Sequence, residues 1–186
     1  MNVKQQQSAE TRQKFIDAAL ELFGEQGYHE TSMNAIATRA GFTRANLYLH
    51  FPNKAAIVAA KMLEIEPELL DAFLALFTLE SKDFTAIRGW LDFMVLRWEE
   101  HEVLFEATQF AVASDDATST AWLDMIHRVA RQLPGFADDP QRRQDFIALV
   151  MGLDRNFAFL LMRNNRKRYE LVLQSLARQW MTLFAR

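Results

Sequence analysis

Three residues, Ala37, Gly41 and Leu47, have the spacing that two short helices need to cross steeply through a tight turn. The small Ala37 lets the helices approach, Gly41 permits the left-handed backbone of the turn, and Leu47 locks the second helix onto the first. Ile36 and Phe42 are expected in the core beside them. This pattern fixes the inner face of the segment and leaves the start of its second helix exposed.

The rest of the chain is predicted to be helical as well. Only 6 Gly and 4 Pro occur among 186 residues, and good helix formers such as Ala, Leu, Glu, Arg, Gln and Met dominate. Runs of alternating β-branched residues, which are typical of strands, are missing. The sequence therefore predicts an all-α fold of about nine helices, judged from apolar periodicity.

Residues 1–54 are predicted to form a small N-terminal head. It contains a flexible arm, residues 1–7, followed by three helices. Ser8 is expected to cap the first helix and Gly27 to end it, Thr31 or Ser32 to cap the second, and Thr43 to cap the third.

Residues 55–186 are predicted to form a larger helical body. One long helix, from about residue 53 to 77, joins it to the head, and Pro67 should kink or divide this helix. The apolar spacing predicts further helices near residues 84–100, 102–113, 117–133, 141–163 and 167–185.

Composition excludes several classes of protein. The absence of Cys rules out disulfides, thiolate zinc sites and thiol catalysis. The longest apolar run, Phe146 to Leu153, is far shorter than the roughly 20 residues that span a bilayer. No basic segment followed by an apolar stretch opens the chain, so we expect a cytoplasmic protein with no membrane partner.

The net charge of −3 is unevenly distributed along the chain. Residues 1–54 hold six Lys or Arg and five Asp or Glu, a net charge of +1, whereas the remainder holds 15 and 19, a net charge of −4. Since binding depends on local charge, the acidic total does not argue against nucleic acid as a partner of the head.

The exposed start of the third helix carries side chains suited to base edges in the major groove. Arg44 can bond to guanine, Asn46 can pair with adenine, and Ala45 can pack against a thymine methyl group. Phosphate oxygens, which position a protein without reading sequence, would suit a second set of donors. That set is Thr31, Thr43, Tyr48, His50 and Lys54.

Residues 31–57, TSMNAIATRAGFTRANLYLHFPNKAAI, resemble the TetR family of one-component transcriptional regulators. The residues that carry the resemblance are Thr31, Ile36-Ala37, Ala40-Gly41, Leu47-Tyr48, His50-Phe51, Lys54 and Ile57. The preceding AALELFGEQGY, residues 18–28, is similar to the end of that family's first helix. Asn46 and Ala56 depart from residues common in the family, so the resemblance does not predict the operator sequence.

This resemblance implies a helix-turn-helix head that binds a double-stranded DNA operator and a body that binds a small molecule and forms a homodimer. It implies a ligand-responsive repressor, released from a palindromic operator by a small apolar or aromatic effector. No cofactor other than that effector is expected.

Large aromatic residues are unusually dense between residues 73 and 122. With the resemblance, they predict an apolar ligand pocket, since small-molecule sites are mostly apolar with a few polar groups. The alternative is that these rings fill a core. The predicted lining is Trp90, Phe93, Met94, Trp98, Phe105, Gln109, Phe110, Trp122 and Met125.

The last two predicted helices carry wide apolar stripes that could pack against a second subunit. Packing within one chain is the alternative. The residues predicted to form the dimer interface are Phe146, Leu149, Leu153, Phe157, Leu173, Leu176 and Trp180.

Enzyme chemistry finds little support. The segment HEVLF, residues 101–105, has Phe105 where the zinc-protease pattern needs its second histidine. Asp124 and His127 share a helix face but have no second such pair. We therefore predict no catalytic residue and no metal site. A helical protein–protein interaction module is the alternative function, and an enzyme that uses the aromatic cavity is a weaker one.

Overall fold

The computed structural model describes residues 3–161 and 169–185, and every regular element in those ranges is helical. The prediction of an all-α fold is confirmed. The helices are α1 (Val3–Gln26), α2 (Met33–Arg39), α3 (Arg44–His50), α4 (Lys54–Thr78), α5 (Phe84–Glu100), α6 (Glu102–Ser114), α7 (Asp116–Gln132), α8 (Pro140–Leu161) and α9 (Tyr169–Met181), followed by a short 3-10 helix (Thr182–Phe184).

Helix α1 begins at Val3, which differs from the start predicted at Ser8. Residues 3–7 of the predicted arm are therefore helical, and Met1 and Asn2 lie outside the described residues. The extension is explained by Lys4 and the three Gln residues after it, which are good helix formers in a fully exposed turn. Gly27 ends the helix with a φ of +83°, as predicted.

Helices α2 and α3 form the predicted crossing pair. Ser32 caps α2, its Oγ accepting from the Ala35 amide at 3.1 Å, and Thr43 caps α3 by accepting from the Asn46 amide at 3.2 Å. Gly41 adopts a φ of +79° in the turn between them. A Cβ at this φ is strained, which explains why the turn uses glycine.

Helix α4 runs without interruption through Pro67, so this proline does not divide the helix. Pro67 lies on the exposed side of the helix, while Ile65 beside it is buried, so the missing backbone hydrogen bond falls where solvent has access. The body helices agree with their predicted ranges within one or two residues where described. The separator predicted at residues 163–167 lies outside the described residues.

The described chain divides into two compact units. The first contains the residues up to Glu64 together with Val103–Trp122, so it includes α1 to α3, the first part of α4, α6 and the start of α7. Its core is apolar and fully buried around Phe15, Ile16, Ile36, Leu47 and Phe51. The head helices therefore share one compact unit with α6.

The second unit contains Ile65–Glu102 and the residues from Leu123 onward. Its centre is a cluster of rings, in which Trp90 and Trp180 have centroids 4.8 Å apart and Phe73 and Phe146 lie 5.0 Å apart. The Trp90 indole N–H donates to the Ala72 carbonyl at 3.0 Å. These rings fill a core, which is the alternative that sequence reasoning had left open for Trp90.

Candidate DNA interface

The exposed face of α3 is set by one buried residue. Leu47 is completely buried against the head, so the residues about half a turn away point to solvent. Arg44, Ala45, Tyr48 and Leu49 are all exposed. The helix thus presents two rows to its surroundings, a polar row of Arg44 and Tyr48 and an apolar row of Ala45 and Leu49.

The polar row is internally ordered. A terminal guanidinium nitrogen of Arg44 donates to the Tyr48 hydroxyl at 3.2 Å, and the guanidinium carbon lies 5.3 Å from the centre of the Tyr48 ring. Such a contact holds the long side chain extended over the helix. Arg44 is thereby presented with donors still available for a planar acceptor pair such as guanine O6 and N7.

The electrostatics of this surface favour an anion. Residues 31–54 contain Arg39, Arg44 and Lys54 and no Asp or Glu. Arg39 is neutralised by α1, because it bonds to Glu25 at 2.7 Å and to Glu21 at 3.2 Å. The hydrogen bond from Arg39 lowers the pKa of Glu25 below its usual value. The positive charge that α3 itself presents therefore comes from Arg44.

The three predicted base-contacting residues are not equivalent. Arg44 and Ala45 are fully exposed, whereas Asn46 is half-buried and its Oδ1 is shielded from solvent. The backbone N–H of Asn46 donates to the Thr43 hydroxyl in the helix cap. The geometry supports Arg44 and Ala45 at the centre of the interface and puts Asn46 at its edge.

Thr31 does not fit the predicted phosphate-contacting set. Its side chain is only 1% exposed. The hydroxyl donates to the Gly27 carbonyl at 2.8 Å and accepts from Gln26 at 3.3 Å. It closes the turn between α1 and α2, and burial keeps it from a phosphate, so this prediction is corrected.

Lys54 is held inside the head. Its ammonium donates to the carbonyls of Tyr28 at 2.5 Å and His29 at 3.3 Å and lies 4.4 Å from the centre of the Tyr28 ring. Partial burial lowers the pKa of this ammonium, and the charge of Glu30 opposes the shift. With two carbonyls bound, Lys54 fastens the start of α4 to the turn after α1.

The other predicted phosphate-contacting residues surround α3. Thr43 and Tyr48 are exposed. His50 is half-buried, and its ring lies 5.6 Å from the Phe15 ring. Leu49 was absent from the predicted site. The sequence carried a signal for its exposure, because a residue two positions after the inner Leu47 lies on the opposite face of the helix.

The predicted ligand-pocket residues are divided between the two compact units. Trp90, Met94, Trp98 and Met125 are buried in the second unit, where Phe93 is 39% exposed. Phe105, Gln109, Phe110 and Trp122 belong to the first unit, and all but Phe105 are half-buried. The surface position of Phe93 does not support a place in a ligand cavity.

The structure places most residues of the predicted dimer interface in the core of the single chain. Phe146, Leu153 and Phe157 on α8 are buried within the single chain, as are Leu173, Leu176 and Trp180 on α9. The apolar stripes of both helices therefore pack within the chain, in the core of the second unit. Only Leu149 is partly exposed, in an open groove of about 640 Å³ that is also lined by Arg142, Asp145 and Gln179.

Other large apolar side chains of these two helices face solvent. Met151 and Phe159 on α8 and Leu171 on α9 are exposed. Ala148, Met151, Arg155 and Phe159 recur at intervals of three or four residues and so form one exposed face of α8. This face was missed because the strongest apolar stripe of each helix was assigned to a partner subunit.

The described residues contain neither a metal-binding cluster nor a membrane-spanning helix. No group of three or more His, Cys, Asp or Glu side chains there is placed to hold a metal ion. None of the helices described is long and apolar enough to cross a membrane.

Comparison with known proteins agrees with this geometry. Residues 15–60 match the family model described as bacterial regulatory proteins, tetR family. The chain is 49% identical over 49 residues to the HTH-type transcriptional regulator AcrR of Shigella flexneri and 44% identical over 54 residues to SrpR of Pseudomonas putida. These alignments cover 26% and 29% of this chain and span only 23% and 25% of those relatives.

Solved structures share the fold over nearly the whole chain. A putative TetR-family regulator from Mesorhizobium loti has a TM-score of 0.63 at 20% identity, covering 96% of each chain. The transcriptional regulator FadR from Bacillus subtilis, solved in complex with stearoyl-CoA, has a TM-score of 0.54 at 19% identity, covering 92% of this chain and 96% of its own. A SmeT–triclosan complex has a TM-score of 0.50 at 22% identity and covers 90% of both chains.

The head has three helices, and the third follows a turn at Gly41, is exposed on one face and contains no Asp or Glu. This arrangement is a helix-turn-helix motif. The sequence match over residues 15–60 agrees with the predicted resemblance of the head to the TetR family, and the solved structures share the fold of the chain. Both relatives, AcrR and SrpR, are described as HTH-type transcriptional regulators.

Proposed function

We propose that this protein is a dimeric transcriptional regulator whose head binds a palindromic operator and whose body binds an apolar effector. The observation that carries the proposal is the exposed α3 face, with Arg44 ordered on Tyr48 at 3.2 Å. A guanidinium held in this way can bond to guanine in the major groove. Ala45 lies beside Arg44. Phosphates would be contacted from α3 and its N-cap by Thr43, Tyr48 and His50.

A two-fold dimer would let two α3 helices enter successive major grooves, about 34–36 Å apart or a multiple of that distance. We assign the contact between subunits to the exposed face of α8 with Met151 and Phe159, together with Leu171 of α9. Large aliphatic and aromatic side chains left in water at regular helical spacing are suited to burial in an interface.

The effector is proposed to be a largely apolar molecule. Two proteins of the same fold were solved with stearoyl-CoA and with triclosan, both of which carry large apolar parts. The buried Trp98, Met94 and Met125 of this chain offer apolar surface of the same kind.

Release from DNA would follow from linkage between effector and head. Helix α6 contacts the head directly, because the Phe110 ring lies 4.5 Å from the His29 ring and stacks on Tyr28 at 6.1 Å. An effector that prefers a different placement of α6 weakens DNA binding by its differential affinity for the two states, typically about 1–3 kcal/mol.

The salt dependence of DNA binding tests this function. The logarithm of the association constant for duplex DNA should fall linearly with the logarithm of salt concentration, because phosphate contacts release counterions. Arg44→Ala should relax base discrimination while leaving this slope nearly unchanged, because Arg44 is assigned to a base edge and phosphate contacts set the slope. Affinity that does not change with salt would instead support a protein-binding head.

A further inference from the structure

The most outward line of α3 is apolar. In a helix each residue advances by about 100°, so Ala45 and Leu49 both lie about 160° from the buried Leu47. Leu49 is 82% exposed, the highest value among the exposed large hydrophobic side chains of the described residues. Its neighbour Ala45, one turn earlier, is exposed as well. Together they form a narrow apolar strip along the crest of the helix.

The surroundings of the strip are polar and carry positive charge. Arg44 and Tyr48 form the adjacent row, bonded to each other at 3.2 Å, and residues 31–54 contain no acidic side chain. A protein partner that covered Leu49 would also have to cover this polar row. Duplex DNA matches both features, since its major groove offers acceptors for Arg44 and one apolar group, the 5-methyl of thymine.

We propose that Leu49, together with Ala45, reads the 5-methyl group of thymine in each operator half-site. The inference rests on the proposed function and adds a specificity-determining residue to it. The apolar strip and Arg44 share one helix face, so the thymine lies within a few base pairs of the guanine that Arg44 contacts. Leu49 contributes by removing the methyl group from water, and hydrogen bonding has no part in its role.

Replacing thymine by deoxyuridine tests this assignment, because it removes only the methyl group. The probe is the duplex recovered by selection from random DNA with the full-length protein, with each symmetric pair of thymines replaced in turn. The variants are Leu49→Ala and, as a matched control, Leu96→Ala, an exposed leucine of α5. Both substitutions remove an exposed side chain, so folding is expected to be retained in each.

Each symmetric replacement removes one methyl group from each half-site. For the wild-type protein and for Leu96→Ala, each methyl group removed should lower the affinity about fourfold. Leu49→Ala should bind the thymine duplex more weakly than the wild type and should lose clearly less than fourfold per methyl group on deoxyuridine, because only Ala45 still covers the methyl group. If the wild type binds both duplexes equally, or Leu49→Ala still loses the same factor, the assignment is wrong while DNA binding stands. Failure to recover any duplex would instead overturn the proposed function, and the inference with it.

Discussion

The side-chain amide of Asn53 donates to Asp115 Oδ1 across 3.1 Å, joining the start of α4 to the start of α7. Each residue also caps a helix. Asn53 Oδ1 accepts from the Ala56 amide at 2.8 Å, and Asp115 Oδ2 accepts from the Thr118 amide at 2.8 Å and the Thr118 hydroxyl at 2.7 Å. Two helix starts are therefore coupled through one hydrogen bond within the unit that carries the DNA-binding head.

Asn53→Ala and Asp115→Ala should each lower the free energy of unfolding by about 1 kcal/mol, because each removes a helix cap. The double variant should lose less than the sum of the two by roughly 0.5 kcal/mol or more, which is the energy of the shared bond. Urea denaturation of the four proteins measures this difference. Strict additivity would mean that the bond between the two helix starts contributes nothing.

The contribution of Asp115 should depend on pH. Hydrogen bonds from Thr118, and a further one from Asn53, hold the pKa of Asp115 below its usual value. A carboxyl whose pKa is lower in the folded state stabilises the fold above its unfolded pKa of about 3.9. That stabilisation is lost as the pH falls through the folded pKa.

The stability gap between the wild type and Asp115→Asn should thus be constant from about pH 7 to 5 and should shrink below about pH 4. Thermal denaturation over this pH series measures the gap. A gap that widens on acidification would contradict the direction assigned to the Asp115 pKa.

Arg44→Lys separates charge from geometry at the proposed base contact. Lysine keeps the positive charge and loses the planar pair of donors, so discrimination between guanine and adenine should fall by about 1–3 kcal/mol. The salt slope should stay unchanged in this variant, because phosphate contacts set the slope. Competition binding with operator duplexes that differ at single base pairs gives both quantities. Full discrimination by the lysine variant would place the guanine contact elsewhere.

Lys54→Met tests whether this lysine acts through the head or on DNA itself. Methionine retains much of the apolar stem and leaves the Tyr28 and His29 carbonyls unpaired, so stability should fall by about 1–2 kcal/mol. Affinity should weaken equally for all DNA sequences. The two effects are measured by urea denaturation and by DNA titration at low temperature. Weaker DNA binding with unchanged stability would show that the Lys54 ammonium contacts phosphate directly.

Phe159→Glu tests the assigned subunit interface. Phe159 is exposed in the single chain, so a charge there should leave the fold intact and oppose burial against a second copy. Sedimentation should show a shift from dimer to monomer, and operator affinity should fall with it. The matched control is Phe93→Glu, an exposed phenylalanine of α5 outside this face. An unchanged dimer in Phe159→Glu would move the interface to another surface.

Local rules predicted most of the fold from the sequence. Gly27 and Gly41 both adopt positive φ values where a helix had to end, and Ser32 and Thr43 cap the helices that follow them. These features depend on residues within a few positions of each other. The start of α1 was predicted too late because a run of polar helix formers has no apolar period to signal it.

Site residues that depend on distant packing were harder to predict. Thr31 was predicted to contact phosphate, yet it is buried and bonded to the Gly27 carbonyl. The apolar stripes of α8 and α9 correctly indicated buried faces. They did not show what covers those faces, since a helix pattern does not distinguish the core of its own chain from a partner subunit. Trp180 shows this, packed 5.8 Å from Phe146 inside the chain.

Selection of bound duplexes from a random DNA library, at roughly physiological salt where non-specific binding is weak, tests the central claim most directly. The account predicts enrichment of a palindrome whose half-sites lie about one helical turn apart or a multiple, with a guanine and nearby thymines in each half. Arg44→Ala, carried through the same selection, should lose that enrichment. A folded wild-type protein that enriches no sequence, with or without apolar ligands such as a long-chain acyl-CoA present, would contradict it.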